Sequence, residues 1–278
     1  MKLTLKNIGK IGTASVEING ITVIAGENNT GKSTVGRALF AVFNSFCNVQ
    51  KQIENERVDS VENLLDRMYM NASARFARIA NTADVARTIV AHIDEYRQIE
   101  PPDMQKSIID LLSQYDDGKI ESFDENMVAD TVFRIKDVLN VSDVDFLKSV
   151  LERKLDAEFN EQVCNIFSED DGEIQLQIKD AVITVSVENE GAVDIQNPGN
   201  ISLHTEVVYI DDPFVLDDLR MFYRRMPGAS SDHRYHLRTK LFWPDSEANV
   251  FDEIIAKDKL NSIYEKISSV CSGDVIRS

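Results

Sequence analysis

Eight consecutive residues, Gly26-Glu27-Asn28-Asn29-Thr30-Gly31-Lys32-Ser33, follow the pattern G-x-x-x-x-G-K-Ser/Thr. Each fixed position has a chemical task. Glycines at 26 and 31 permit backbone angles that a Cβ resists. Successive N–H groups in such a loop turn inward and form a nest for phosphate oxygens. A helix beginning near Lys32 aims its free N–H groups and the positive end of its dipole at the same place. Lys32 brings a full charge to the β- and γ-phosphates, the Ser33 hydroxyl is of the kind that ligates Mg²⁺, and Thr34 is placed to donate to the α-phosphate. Residues 26–34 therefore predict a site for ATP and Mg²⁺.

A phosphate loop works only if a strand delivers it and a helix leaves it. Both are expected here. Ile21, Val23, Ile24 and Ala25, with Thr22, make a short apolar run of the kind buried on both faces of a sheet. Residues 33–46 carry Val35, Leu39, Val42 and Phe43 at helical spacing. Upstream, Leu3 and Leu5 alternate with Lys2, Thr4 and Lys6, and Ala14, Val16 and Ile18 alternate with Ser15, Glu17 and Asn19, so two strands precede the loop. Asn19-Gly20 is a hairpin-turn dipeptide leading into the loop strand.

The segment Lys2-Leu3-Thr4-Leu5-Lys6-Asn7-Ile8-Gly9-Lys10-Ile11, the strand at residues 14–18, and Ile21 through Thr34 together resemble the start of ABC-type ATPase heads. These are the SMC, RecF and OLD-like proteins and the AAA-type ATPases related to them. The resemblance is strong over residues 1–45 and faint beyond, and is best to bacterial ATPases with a helical subdomain inserted after the first helix. It implies an α/β P-loop NTPase fold with a mixed sheet around the loop, and it places Asn7 and Lys10 beside the nucleotide.

A second feature is read against that resemblance. Val207-Val208-Tyr209-Ile210-Asp211-Asp212 is an apolar strand ending in two acids. As a Walker B segment, Asp211 would hold Mg²⁺ and Asp212 would stand for the catalytic Glu. ABC-type heads, however, place a Leu-Ser-Gly-Gly-like signature before Walker B, and none lies between Ser33 and Asp211. The order favours a Q-loop-equivalent strand end over Walker B, with a plain strand terminus as the third reading. In the first two, Asp211 and Asp212 approach the Mg²⁺ and γ-phosphate, and Lys32, Asp211 and Asp212 are the candidate catalytic residues.

The remainder divides into blocks. Residues 1–47 form the first half of the ATPase core. Residues 48–170 read as an inserted helical subdomain, with stripes such as Val58-Val61-Leu65-Met68 and Leu147-Leu151-Leu155-Phe159, a break at Pro101-Pro102 and a capping box at Ser142/Asp145. Residues 171–278 return to the core through an antiparallel meander built on Ile174, Leu176 and Ile178, on residues 182–187 and on residues 193–195. A helical segment follows. The last residues, from Gly273, read as a turn entering a strand, so the head is expected to be truncated or completed by another chain.

The chain has 278 residues and a net charge of −17, which excludes polyanion binding through bulk charge. Between residues 110 and 173 stand 18 acidic against 6 basic residues, an acidic face on the helical part. Residues 219–241 are locally basic (Arg220, Arg224, Arg225, Arg234, Arg238 and Lys240 against Asp232), either a face that pairs with the acidic subdomain or a contact surface for nucleic acid or a partner protein. Cys47, Cys164 and Cys271 are isolated, as in a reducing cytoplasm, and the four histidines show no zinc spacing. No run has the length of a transmembrane helix. No Asn-Lys-x-Asp motif occurs, which argues against a GTPase. The expected function is a cytoplasmic ATP-binding head that hydrolyses ATP as a homodimer or when its missing half is supplied. A non-hydrolysing nucleotide-binding regulator and, less favoured, a P-loop small-molecule kinase are the alternatives.

Overall fold

Strand β1, Lys2–Ile8, buries Leu3, Leu5 and Ile8 and turns Lys2 and Lys6 outward. Gly9 and Lys10 turn the chain into β2, Ile11–Glu17, which lies antiparallel to β1 with Ile8 opposite Ile11. Helix α1, Lys32–Ser45, then leaves the loop at residues 26–31. This is a computed structural model, and it describes residues 1–72, 82–115, 124–189, 191–196, 203–211 and 232–242.

Six helices follow: α2 (Val49–Ala72), α3 (Thr82–Ala91), α4 (Ile93–Gln98), α5 (Pro101–Tyr115), α6 (Glu125–Asn140) and α7 (Asp143–Phe159). Their ends obey local chemistry. Pro101 opens α5, where its missing N–H leaves no helical bond unmade. Asp124 caps α6 by accepting from the N–H groups of Asn126 and Met127. Ser142 caps α7 by accepting from Asp145 N–H at 3.1 Å, half of the expected capping box.

Strands β3 (Gly172–Ile178), β4 (Ala181–Val187) and β5 (Val193–Gln196) form the meander. Strand β3 joins β1 with Leu3 opposite Leu176 and Leu5 opposite Ile174. The sheet order is β2-β1-β3-β4-β5. Alternation on β1, β3 and β4 puts Leu3, Leu5, Ile174, Leu176, Ile183 and Val185 in one apolar layer with α1 and α7. A last helix, α8 (His233–Phe242), comes after residue 232.

The α/β class is thus observed, but the mixed sheet is not. Every described strand pairing is antiparallel. Residues 21–25 do not form the buried strand expected of them, nor do residues 207–210 form a strand. Ile21 is 95% exposed and Val23 82%, and Val208 and Ile210 are more than half exposed. A strand requires a neighbour for its N–H and C=O groups, and apolar pattern alone does not supply one. Among the described residues neither segment has a ladder partner.

The helices share two cores. One joins the sheet to α1 and α7. The other is built from α2, α3, α4, α5 and α6 around Leu65, Ile89, Met104, Ile108 and Ile135. The stretch read as one inserted subdomain therefore has its last helix in the sheet's own core. Arg57 of α2 bridges the two, its guanidinium donating at 2.8 Å to Val141 O and to Asp143 Oδ1, with Phe146 stacked beneath it. No helix among the described residues is long and apolar enough to cross a membrane.

Candidate functional site

The loop at residues 26–31 lies at the N-terminus of α1 with most of its surface exposed. Asn29 and Gly31 hold left-handed φ of 69° and 88°. Gly31 is the position before the first helical residue, and no side chain caps the helix there. The first N–H groups of α1 thus face the loop without a side-chain acceptor, the arrangement that receives anions. A Cβ on Gly31 would stand 2.7 Å from Ile11 Cγ1, so the β2 side chain presses the turn closed from behind. Gly26 is different from expectation. It shows no left-handed φ, and a Cβ there would meet only Thr30 Oγ1 at an ordinary 3.4 Å. Its glycine is not demanded by the backbone of this conformation.

Side chains brace the loop from within. Lys32 folds back and donates from Nζ to Gly26 O at 2.9 Å and to Glu27 O. Thr30 Oγ1 donates to Glu27 O at 2.9 Å. Lys10 donates to Asn29 Oδ1, so the turn between β1 and β2 does reach the loop. Asn7 does not: its Nδ2 donates to Asp171 O and its carbonyl accepts from Asn165 N–H. Ser33 is exposed, and Thr34 lies beside Gly9, with Cγ2 and Oγ1 at 3.2 and 3.3 Å from where a Cβ on Gly9 would be.

Asp211 arrives from the other side of α1. The Asn44 side chain acts as a strand neighbour, accepting from Val207 N–H and donating to Val207 O, both at 2.8 Å. Tyr209 then packs where Gly36 has no side chain; a Cβ there would be 2.6 Å from the ring. Gly36 lies two turns nearer the loop at residues 26–31 than Asn44. The segment therefore runs along α1 from Asn44 to Gly36, and Asp211 follows two residues after Tyr209. Asp212 lies outside the described residues.

The Asp211 carboxylate is held by α8. Arg234 donates from Nε at 3.2 Å to each oxygen and from Nη2 to Oδ2, and His233 Nε2 lies 3.1 Å from Oδ1. The hydrogen bond from Arg234, reinforced by His233 against the opposing effect of burial, lowers the Asp211 pKa to about 2. His233 is itself clamped between two carboxylates. Its Nδ1 lies 2.8 Å from Glu158 Oε2, and its backbone N–H donates to Glu158 Oε1 at 2.6 Å. Burial pulls the imidazole pKa down, but the hydrogen bonds to Glu158 and Asp211 and their charges outweigh it, and the pKa is raised. The Glu158 side chain is fully buried.

Glu158 and His233 were not candidates from the sequence. A signal for the first exists: Leu147, Leu151, Leu155 and Phe159 step along the buried face of α7, and Glu158, three residues after Leu155, falls on that same face, where an apolar residue is due. His233 and Arg234 belong to the basic segment 219–241. Its described part turns these two inward onto Glu158 and Asp211, and the rest of it lies outside the described residues. At the far end of α1, Lys154 donates to Asn44 O at 2.9 Å and to Gln52 Oε1 at 3.0 Å. Burial lowers its pKa to about 8 despite the nearby carboxylates of Glu206 and Glu56. Among the described residues no three His, Cys, Asp or Glu side chains gather as a metal site.

Comparison with family models, with curated proteins and with solved structures found no match to this chain.

Proposed function

We propose that the chain is the Mg²⁺·ATP-binding head of an ABC/AAA-type ATPase, hydrolysing ATP only when a further segment or a second head completes it. The observation that carries the reading is the loop at residues 26–31. It is exposed, it takes left-handed angles at Asn29 and Gly31, and it opens onto an uncapped helix start with Lys32 folded across it. This donor set suits phosphate. Backbone N–H groups of the loop and of α1 would cradle the oxygens, Lys32 would exchange two carbonyl partners for the β- and γ-phosphates, and Thr34 would serve the α-phosphate.

Mg²⁺ takes few protein ligands and is completed by phosphate oxygens and water, so a hydroxyl and one carboxylate suffice. Ser33 and Asp211 are those ligands in this reading. Bound there, the cation would neutralise charge on the β- and γ-phosphates. Asp212 is the candidate for orienting the attacking water.

Incompleteness is supported by the apolar side chains Ile21, Val23 and Ile24 before the loop and Val208 and Ile210 before Asp211, which are exposed among the described residues. A completing segment or second head would cover them and bring the charge stabilisation that phosphoryl transfer requires. Thermal unfolding tests binding. ATP·Mg²⁺ at a hundredfold excess over its dissociation constant stabilises a folded binder by about 2.7 kcal/mol. A midpoint that rises with ATP·Mg²⁺ and not with Mg²⁺ alone is expected; an unmoved midpoint at millimolar nucleotide contradicts the reading.

A further inference from the structure

We infer that Arg234 is a phosphate-contacting residue of this same site, held on Asp211 until Asp211 turns to a cation and Arg234 turns to the terminal phosphate. The inference rests on the proposed nucleotide site and adds to it a residue outside the loop.

Position comes first. Two chains of contact, both passing by His233, lead from the first two turns of α1 to Arg234, and the His233 ring itself packs edge-on against Phe40. Along one, Phe159 Cε1 stands 3.6 Å from where a Cβ on Gly9 would be, and that point is 3.2 Å from Thr34 in the first turn of α1. Glu158, the residue before Phe159, binds both the backbone N–H and the ring of His233, the residue before Arg234. Along the other, Tyr209 packs on Gly36 and against the His233 ring, and two residues on Asp211 meets Arg234. Gly36 is only about 4.5 Å along the helix axis from Ser33 at 1.5 Å per residue.

Competition comes second. Both Asp211 oxygens receive the Arg234 guanidinium, and Oδ1 also faces His233. A carboxylate forked by a guanidinium has committed the lone pairs that a hard cation needs. Asp211 therefore serves the cation only by giving up Arg234. The released guanidinium is then beside a new anion that suits it, since its planar fork matches phosphate as well as carboxylate.

Mobility comes third. The two neighbouring residues of α8 are unequal. The His233 side chain is 6% exposed and fixed by the buried Glu158, whereas the Arg234 side chain is 47% exposed. The helix start is anchored through His233, and the arginine side chain beside it is half-exposed.

Calorimetric titration of the whole chain with ATP·Mg²⁺ and with ADP·Mg²⁺ tests this, because only ATP has the terminal phosphate. Arg234→Ala is expected to lower the ratio of ATP·Mg²⁺ to ADP·Mg²⁺ affinity about 10- to 100-fold, the range for losing a charge-assisted hydrogen bond, since the release of Asp211 acts on both nucleotides alike. Arg234→Lys, which keeps the charge without the fork, is expected to lie between, and Arg234→Gln to match Ala. Where Arg234→Ala lowers the unfolding midpoint of the nucleotide-free chain, the ATP-to-ADP ratio of Arg234→Lys decides. An unchanged ratio in these variants, whether both nucleotides weaken together or neither does, overturns the inference while leaving the site reading intact. Failure of the parent chain to bind either nucleotide overturns both.

Discussion

At Gly31 a left-handed φ of 88° coincides with a site where a Cβ would sit 2.7 Å from Ile11 Cγ1. Gly31→Ala should therefore cost about 1–2 kcal/mol for the angle and a further 1–3 kcal/mol for the overlap. Gly26→Ala, with neither problem, should stay within about 1 kcal/mol of the parent. Denaturant midpoints of the two variants check this, and the reverse ranking would contradict the loop geometry. Asp211→Asn keeps the shape and removes the charge, so the Mg²⁺ dependence of nucleotide binding should weaken by at least tenfold in the proposed site; an unchanged Mg²⁺ titration would make Asp211 a strand terminus tied to Arg234. The exposed loop and the helix start after it were readable because the motif is local, all of its parts lying within nine positions. Glu158 and His233 were not announced. Their pairing spans 75 positions, and sequence spacing carries no information about a contact of that range.

Among the elements, α1 carries the strain of the design at both ends. At its C-terminal end the Lys154 ammonium meets the Asn44 carbonyl, where a cation is favoured by the helix dipole, but burial lowers its pKa to about 8 from 10.5. The unfolded chain keeps that proton to about pH 10.5 and the folded chain only to about pH 8, so this group adds stability as pH rises between those values and contributes a constant penalty below them. Relative to Lys154→Met, the parent should gain up to about 3 kcal/mol on going from pH 8 to 10.5. Urea midpoints of both proteins at pH 7.5 and pH 10 measure it; a constant difference would mean that the lysine is solvated. Near the other end, Glu158→Gln leaves His233 with one carboxylate in place of two, and α8 should lose its anchor at a cost of about 3 kcal/mol or more. Strand alternation in β1, β3 and β4 was readable because each strand has one apolar and one polar side. The apolar runs at 21–25 and 207–210 were misread for the opposite reason. Their composition suits a buried strand, but a ladder needs a neighbouring strand: no described strand pairs with 21–25, and at 207–210 it is the Asn44 side chain, Gly36 and His233 that meet Val207 and Tyr209.

On the scale of the molecule, two apolar cores meet through α2 and α7, with Arg57 at their junction and the loop at residues 26–31 against Ile11 of the sheet's core. The helical content between residues 49 and 159 was legible from its stripes, but the division of those helices between two cores was not, since Leu147 and Leu65 lie in stripes of the same kind. An exposed loop with exposed apolar side chains at Ile21, Val23, Val208 and Ile210 is what the proposed head, binding nucleotide and lacking the groups to cleave it, would show. Purified alone, the chain should turn over ATP very slowly; rapid turnover abolished by Asp212→Ala would show a self-sufficient enzyme instead. The central claim is nucleotide binding by residues 26–34, and it is tested most directly by isothermal calorimetry of ATP·Mg²⁺ with the parent chain and with Lys32→Ala. Saturable one-site binding by the parent and its loss in the variant, with the unfolding midpoint of the nucleotide-free variant unchanged, is the predicted result, and equal affinity in both proteins, or no heat in either, would contradict it.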